Sequence, residues 1–254
     1  MTQTSFSIAG VRTGDFRVGA VISRSASLLW RHFPSFFLVG LMASSPILLL
    51  ASLQTTGSAD SEPVNRWLQT MFDTAIDTAL LSAFAAFGQA VIIHAAVQDM
   101  RRGPVRLIES LNVSVGLFWP LIGLAFADFL AAMGYYLFIV PNLVLYTIWF
   151  VALPACIVEQ RGSWKSLRRS LELTKGHRWK VFGLVFLLLI PGFANWLVGL
   201  WLSDDADPIV RAIGELMWGG IWTAFDAAVL IVAYRDLRMA KEGTDIEQIA
   251  VVFD

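Results

Sequence analysis

Long apolar stretches separated by short polar segments dominate the chain from residue 33 to residue 234. Six of these stretches have the length of about 17–25 residues that crosses the hydrocarbon core of a bilayer as a helix. They run at about residues 33–53, 73–97, 114–138, 142–158, 179–201 and 209–234, with a loop predicted at residues 54–66 and a tight turn containing Pro141 at residues 139–142. We therefore predict an all-α integral membrane protein with six transmembrane helices. The membrane domain covers residues 16–240, between a flexible N-terminus (1–15) and a C-terminal tail (241–254).

Each odd-numbered stretch follows a basic segment with the periodicity of a short amphipathic helix. In residues 16–32, apolar positions such as Val21 and Leu28 alternate with Arg17, Arg24 and Arg31. A shorter basic segment covers residues 99–112. In residues 161–178, one predicted face holds Leu167, Leu171 and Thr174, and the other holds Lys165, Arg168, Arg169 and Glu172. Gly176 is expected to end this helix in a left-handed turn.

The basic residues are distributed very unevenly among the polar segments. Of the 19 lysines and arginines, 17 fall before stretch one, between stretches two and three, between four and five, or after six; only Arg66 and Arg211 fall elsewhere. Loops rich in lysine and arginine stay in the cytoplasm. The count predicts a multi-pass protein of the inner membrane with both termini in the cytoplasm.

Two parts of the chain match when the sequence is shifted by sixty residues. The segment from Ser110 to Phe126 repeats as the segment from Ser170 to Phe186, with Trp119 over Trp179 and Gly123 over Gly183. Phe33-Pro34 is a fainter N-terminal copy of Trp119-Pro120. We predict three parallel helix-hairpin repeats related by an axis along the membrane normal, each preceded by a basic amphipathic helix on the cytoplasmic face.

The even-numbered stretches end in an acid-x-Arg triplet. The three triplets are Asp99-x-Arg101, Glu159-x-Arg161 and Asp236-x-Arg238. One interpretation is anchoring alone, since arginine is favourable at a helix C-terminus and beside anionic lipid. The alternative is that these acids and arginines pair across the repeats as a ring that closes the cytoplasmic end.

Asp128 and Asp226 each lie near the middle of an apolar stretch, among small and aromatic residues. A carboxylate at that depth is costly, so each should face the bundle interior and be protonated or meet a partner. No lysine or arginine lies at matching depth; Gln89, Ser82, Thr223 or a water are the available partners. The two carboxyls predict a proton- or ion-coupled pathway, or neutral acids that hold helices together.

Other candidate chemistry is scarce. Asp73 and Asp77, one turn apart, suit a solvated mouth better than a site, and His94 lacks a second histidine at ligand spacing, so no metal or cofactor is expected. The single cysteine, Cys156, excludes an intramolecular disulfide. The chain has no recognisable catalytic motif and no excess of basic residues, which argues against an enzyme and against nucleic acid as a partner.

Several of these segments together resemble a known bacterial family. They are FRVGAVISRSASLLWRHF, the Glu159–Gly162 and Arg169–Gly176 stretches, and Tyr234-x-Asp236-Leu237-Arg238 with the following Glu242-Gly243-x-Asp245. They are similar to the membrane domain attached to some bacterial glycerophosphodiester phosphodiesterases, and to its stand-alone relatives. The resemblance implies a six-span architecture and a connection with lipids. It does not imply phosphodiesterase activity, because the catalytic barrel is absent.

The sequence leaves three functions open. The first is a non-enzymatic protein that binds or moves a lipid-related or other small molecule, or supports a membrane-protein partner. The second is a proton-coupled carrier that uses Asp128 and Asp226, and the third is a structural subunit without a ligand. In the first, anionic lipids of the cytoplasmic leaflet would bind the basic segments. The residues concerned are Arg101, Arg102, Arg106, Lys165, Arg168, Arg169, Lys175, Arg178 and Lys180.

Overall fold

The computed structural model describes residues 16–48, 63–101, 103–137, 139–202 and 208–243, which form helices joined by short connections. The helices, in chain order, are α1 (Val18–Arg31), α2 (Phe33–Ser44), α3 (Pro63–Met100), α4 (Leu107–Gly116), α5 (Phe118–Leu137), α6 (Ile139–Trp149), α7 (Ala152–Glu159), α8 (Ser163–Thr174), α9 (Arg178–Leu202) and α10 (Pro208–Glu242).

Four helical segments are long and apolar enough to cross a membrane: Ala75–Met100, Asn142–Glu159, Arg178–Asn195 and Ile209–Glu242. A fifth is present if α4 and the first part of α5, which meet at a bend of 77°, count as one span. The described part of the first predicted span, Phe33–Leu48, is apolar but shorter than a full crossing. The chain is therefore an all-helical, multi-pass membrane protein with four or five candidate spans.

Several predicted boundaries were wrong. Residues 63–66, expected in a loop, already belong to α3, which continues past the predicted end of the second span to Met100. The tight turn expected at residues 139–142 is the start of α6. The predicted start of the third span, Ser114, lies inside α4, so the bend at Leu117 falls within the predicted span. The predictions for the two termini and for residues 49–62 and 203–207 lie outside the described residues.

A short helix meets an apolar helix at an elbow in three places. The elbows lie at His32, at Leu117 and at residues 175–177. In the last, Gly176 has a φ of +95°, so the predicted left-handed turn is confirmed. An exposed tryptophan lies beside each elbow: Trp30, Trp119 and Trp179. Tryptophan in such positions is typical of the boundary between membrane and water.

The core lies among the long helices α3 and α10 and the pair α6–α7. α3 packs against α10, and α7 packs against both. Small and branched residues fill this region, including Ala90, Ile92 and Ile93 of α3 and Ala227, Ile231 and Tyr234 of α10. Helices α2, α5 and α9 pack around this centre and each adds buried residues to the core: α2 packs on α10, α5 on α3, and α9 on α6.

Helices α2 and α10 approach each other closely at Gly40 and Gly220. A Cβ atom added at Gly40 would collide with the carbonyl oxygen of Gly220, and one added at Gly220 would lie against Leu41. Small residues at such a crossing let two membrane helices approach backbone to backbone.

The inward face of α8 differs from the predicted one. The structure buries Ser166, Ser170, Leu173 and Thr174, and it leaves Leu171 41% exposed. The Arg169 side chain, expected on the outer face, is only 16% exposed. Periodicity misplaced the face because these serines and this arginine find polar partners inside the protein, which removes most of the cost of burying them.

Candidate functional site

Asp128 and Asp226 line the same cavity. It has a volume of about 130 Å³ and lies among α3, α5, α6, α7, α8 and α10. Its polar wall is formed by Ser82, Gln89, Asp128, Tyr146, Trp149 and Asp226. The sequence identified the two carboxyl groups separately, and the fold brings them together from α5 and α10.

Asp226 is buried and has a defined partner. The Gln89 side-chain amide on α3 donates a hydrogen bond of 2.8 Å to Oδ2 of Asp226. Gln89 is one of the partners that the sequence offered for this carboxyl. Because alanines surround both positions on α3 and α10, the helices pack closely enough for these two side chains to meet. A hydrogen bond to a carboxyl oxygen offsets part of the cost of placing that group in a membrane.

Asp128 differs from Asp226 in its surroundings. Its side chain is exposed on the α5 wall of the cavity. The two carboxyls line one cavity, and Tyr146 of α6 lines it as well. Tyr146 was not singled out in the sequence, where nothing distinguishes it from an interfacial tyrosine. Two acids and a phenol therefore share one polar compartment.

The size of the cavity limits what it can hold. An apolar cavity of about 150 Å³ is sufficient for benzene, and a polar cavity of that size holds several waters. The space beside Asp226 therefore admits a few waters or one small solute. It is too small for a phospholipid head group together with its acyl chains.

A break in a spanning helix forms one side of the cavity. The segment Asn142–Glu159 consists of α6 and α7, which are interrupted at Phe150 and Val151. Ser170 of α8 compensates this break: its Oγ donates to the carbonyl of Ile148 at 2.8 Å and accepts from the Val151 N–H at 3.2 Å. Trp149, Phe150 and Ala152, at the break, line the cavity. The surface helix α8 thus supports the irregular backbone beside the carboxyls.

Replacing Ser170 by alanine should destabilise the protein by about 1–3 kcal/mol, because two backbone groups at the break lose their partner. The free energy of unfolding in mixed micelles measures this loss. Ser23→Ala is the matched control: Ser23 is exposed on α1 and bonds only locally, to the Ala20 carbonyl. Equal losses in the two variants would contradict a specific role for Ser170.

Glu159 is the centre of a second polar cluster, at the end of α7. Its Oε1 accepts hydrogen bonds from Arg169 Nε at 2.8 Å and from the Tyr234 hydroxyl at 2.9 Å. Its Oε2 pairs with Arg161 Nε at 2.9 Å. Arg169 also pairs with Glu242, which accepts in addition from Arg238. This cluster joins α7, α8 and α10.

The environment of Arg169 favours its charged form. Burial acts to lower the pKa of Arg169, but hydrogen bonds from its guanidinium to Glu159 and Glu242 outweigh burial, so the pKa is raised. Near the same cluster, Lys241 donates to the backbone carbonyls of Glu172 and Lys175. The end of α10 is therefore attached to α8 by side chains from both helices.

The three acids of the acid-x-Arg triplets pair differently from the predicted ring. Asp236 accepts from Arg24 at 2.9 Å, and Asp99 pairs with His32 at 2.9 Å and Arg31 at 3.3 Å. Two of the three triplet arginines bind within their own neighbourhood: Arg161 to Glu159, and Arg238 to Glu242 and the Tyr234 hydroxyl. The third, Arg101, is exposed. The acids thus meet basic residues of α1 and α8, which are geometrically closer than the arginines of the other triplets.

The remaining basic residues that the sequence selected lie on the surface wherever the structure describes them. The side chains of Arg106, Lys165, Arg168, Lys175, Arg178 and Lys180 are exposed. Arg102 and the side chain of Asp73 lie outside the described residues. His94 shares a hydrogen bond of 3.0 Å with Ser110 of α4, which gives this histidine a structural role.

Comparisons with known proteins do not identify the protein or its candidate site. No protein-family model, no curated protein and no solved structure matches the chain. The similarity to the phosphodiesterase-associated membrane domain therefore stays a prediction from the segments quoted above.

Proposed function

We propose that this is a non-enzymatic protein of a bacterial inner membrane that binds a small cationic or hydrogen-bond-donating solute between Asp128 and Asp226, with exchange of a proton at these carboxyls. The observation that carries the proposal is the shared cavity, in which Gln89 fixes Asp226 and leaves Asp128 accessible. Such a site suits a proton-coupled carrier. This was the second of the functions that the sequence left open.

The chemistry follows from the cost of charge in a membrane. Two carboxylates in one small compartment repel each other, and neither has a lysine or arginine beside it in the cavity wall. A proton or a bound cation removes that repulsion. Binding of solute and binding of protons should therefore compete, which is the basic requirement for coupling them.

The proposal includes six spans in three repeats, with both termini cytoplasmic. The contacts of the surface helices support it: α1 packs on α10, α4 on α3, and α8 on α7. Each surface helix therefore rests on the second span of the preceding unit, in a cyclic order. Each of the three surface helices α1, α4 and α8 contains a buried serine that forms a hydrogen bond to the span on which the helix rests. Ser25 bonds to the Ala228 carbonyl of α10, Ser110 to His94 of α3, and Ser170 to the Ile148 carbonyl of α6, the first half of the span that α7 completes.

Ion pairs follow the same cyclic order in two of the three units. Arg24 of α1 pairs with Asp236, and Arg169 of α8 pairs with Glu159. Glu109 lies sixty residues before Arg169 and so occupies the matching position in α4. An acid at this position cannot pair with Asp99, the acid on the helix that supports α4. Asp99 pairs with Arg31 and His32 instead.

The test is a measurement of protonation and binding in lipid nanodiscs. We expect the infrared carboxylic-acid band of the parent to change between acidic and alkaline buffer, and Asp226→Asn to remove part of that change. Methylammonium chloride should raise the melting temperature of the parent, because a ligand of the folded state stabilises it by mass action. Asp226→Asn and Asp128→Asn should each abolish the rise.

Glu215→Gln is the matched control, since Glu215 is an exposed carboxyl on the same helix as Asp226. This variant should keep the melting response of the parent. The proposal fails if the carboxylic-acid band does not change with pH and if methylammonium and sodium change the melting temperature equally in the parent and in all variants. That outcome would leave Asp226 and Gln89 as a structural contact between helices.

A further inference from the structure

A second cavity, an apolar groove of about 330 Å³, lies on the outer surface of α2, α3 and α4. Its walls are aliphatic and aromatic, with Met42 on α2, Phe84 and Val91 on α3, and Ile108 and Leu111 on α4. Since a cavity of about 150 Å³ holds the six carbon atoms of benzene, this groove can hold roughly a dozen. It is separate from the carboxyl cavity and shares no lining residue with it.

With α3 crossing the membrane as proposed, the position of α4 places this groove within a leaflet. Ser110 of α4 bonds to His94, which lies six residues before the end of α3. At 1.5 Å per residue, α4 thus reaches about 9 Å below the end of that helix. The opposite face of α4 is apolar and exposed at Ile108, Leu111 and Val115. A face of this kind at this depth contacts acyl chains.

Two exposed arginines lie next to the helices that form the groove, in the connection between α3 and α4. Arg106 immediately precedes Leu107, a lining residue, and its side chain is 70% exposed. Its backbone N–H is held by the side-chain oxygen of Gln98 at 2.8 Å, which fixes the approach to α4. Arg101, also exposed, follows α3 directly. Glu109 approaches Arg106 only to 4.0 Å, so it neutralises the arginine weakly.

We propose that this groove binds one anionic phospholipid, with an acyl chain along Met42, Phe84 and Leu111 and the head-group phosphate at Arg106 and Arg101. The combination of an apolar groove and two arginines beside it matches such a molecule in shape and charge. Assignment of the lipid to the cytoplasmic leaflet rests on the orientation proposed above. The groove and the arginines beside it do not depend on that orientation. The site is independent of solute binding at Asp226.

The test uses the full chain in nanodiscs that contain phosphatidylcholine and a small fraction of phosphatidylglycerol with a photoreactive group in its acyl chain. Crosslinks mapped by mass spectrometry should concentrate on the lining residues of α2, α3 and α4. A variant with both Arg101→Gln and Arg106→Gln should reduce the yield at these residues about tenfold, since each basic residue near the surface contributes substantially to anionic-lipid binding. Leu111→Trp should reduce it also, by filling the groove.

Two controls separate a defined site from general lipid contact. Arg168→Gln removes an exposed charge from α8, and Phe186→Trp changes an exposed apolar residue of α9; both should leave the groove crosslinks unchanged. Photoreactive phosphatidylcholine should label the groove more weakly. Equal labelling by the two lipids, with no effect of the arginine substitutions, would overturn the proposal. Absence of groove crosslinks from both lipids, in a protein that native mass spectrometry shows to be a dimer, would also overturn it, in favour of a second copy of the chain.

Discussion

Replacing Gly40 by alanine is expected to destabilise the protein by about 1–3 kcal/mol, although alanine is the better helix former. The added methyl group would meet the carbonyl oxygen of Gly220, a backbone atom that cannot move away without shifting α10. Because α10 carries Asp226, the shift should also weaken the methylammonium response proposed above. The free energy of unfolding in mixed micelles and the melting response in nanodiscs measure the two effects.

Gly214→Ala is the matched control for this substitution. Gly214 is a glycine of the same helix, α10, and a Cβ atom there would meet nothing within 4 Å. Its replacement should be neutral or stabilising by up to about 1 kcal/mol, because only helix propensity changes. The close crossing of α2 and α10 would be contradicted if Gly40→Ala and Gly214→Ala had effects of the same sign.

The second large effect is expected from Arg169→Met, at about 3 kcal/mol of lost stability. Removal of one partner of a largely buried ion pair leaves the other charge with less compensation, which usually costs more than the pair contributes. Glu159, 8% exposed, would retain Arg161 and the Tyr234 hydroxyl, and Glu242 would retain Arg238. Denaturation in mixed micelles measures the loss.

Arg168→Met provides the comparison, since it removes the same kind of side chain from the next position of α8. Arg168 is 79% exposed and approaches Glu172 only to 3.7 Å, so its replacement should cost less than about 0.5 kcal/mol. Similar losses in the two variants would show that the charge of α8 as a whole matters, and not the contact with Glu159.

The helical class and two of the three elbows could be predicted because both depend on local sequence. Apolar length identifies a span, and a basic periodic segment that ends at Gly176 or before Phe33 identifies a surface helix. The elbow at Leu117 was missed, because the predicted span began at Ser114 and ran through it. The break at Phe150 and Val151 could not be predicted, because its compensating group, Ser170, is supplied by another helix. The start of α6 was missed for a related reason: Pro141 suggested a turn, but proline is also tolerated in the first turn of a helix.

The candidate site shows the same limit. Depth in an apolar stretch was sufficient to select Asp128 and Asp226, and polarity at similar depth was sufficient to offer Gln89. That both carboxyls line one cavity depends on the packing of α5 and α10 around α3, which no spacing along the chain encodes. The partners of the triplet acids depended likewise on helix packing, so the pairing of Asp236 with Arg24 was not foreseen.

The interruption of the candidate span Asn142–Glu159 also has an electrostatic consequence. A continuous helix presents its dipole only at the two membrane surfaces, whereas α7 begins inside the bundle, at Ala152 on the cavity wall. The first turn of a helix carries partial positive charge on its free N–H groups. The break therefore places two opposite helix ends in the wall of the compartment that holds Asp128 and Asp226: the partial positive charge of the α7 N-terminus at Ala152 and the partial negative charge of the α6 C-terminus at Trp149. These local dipoles act on the two acids without the fixed ion pair that a lysine or arginine would form.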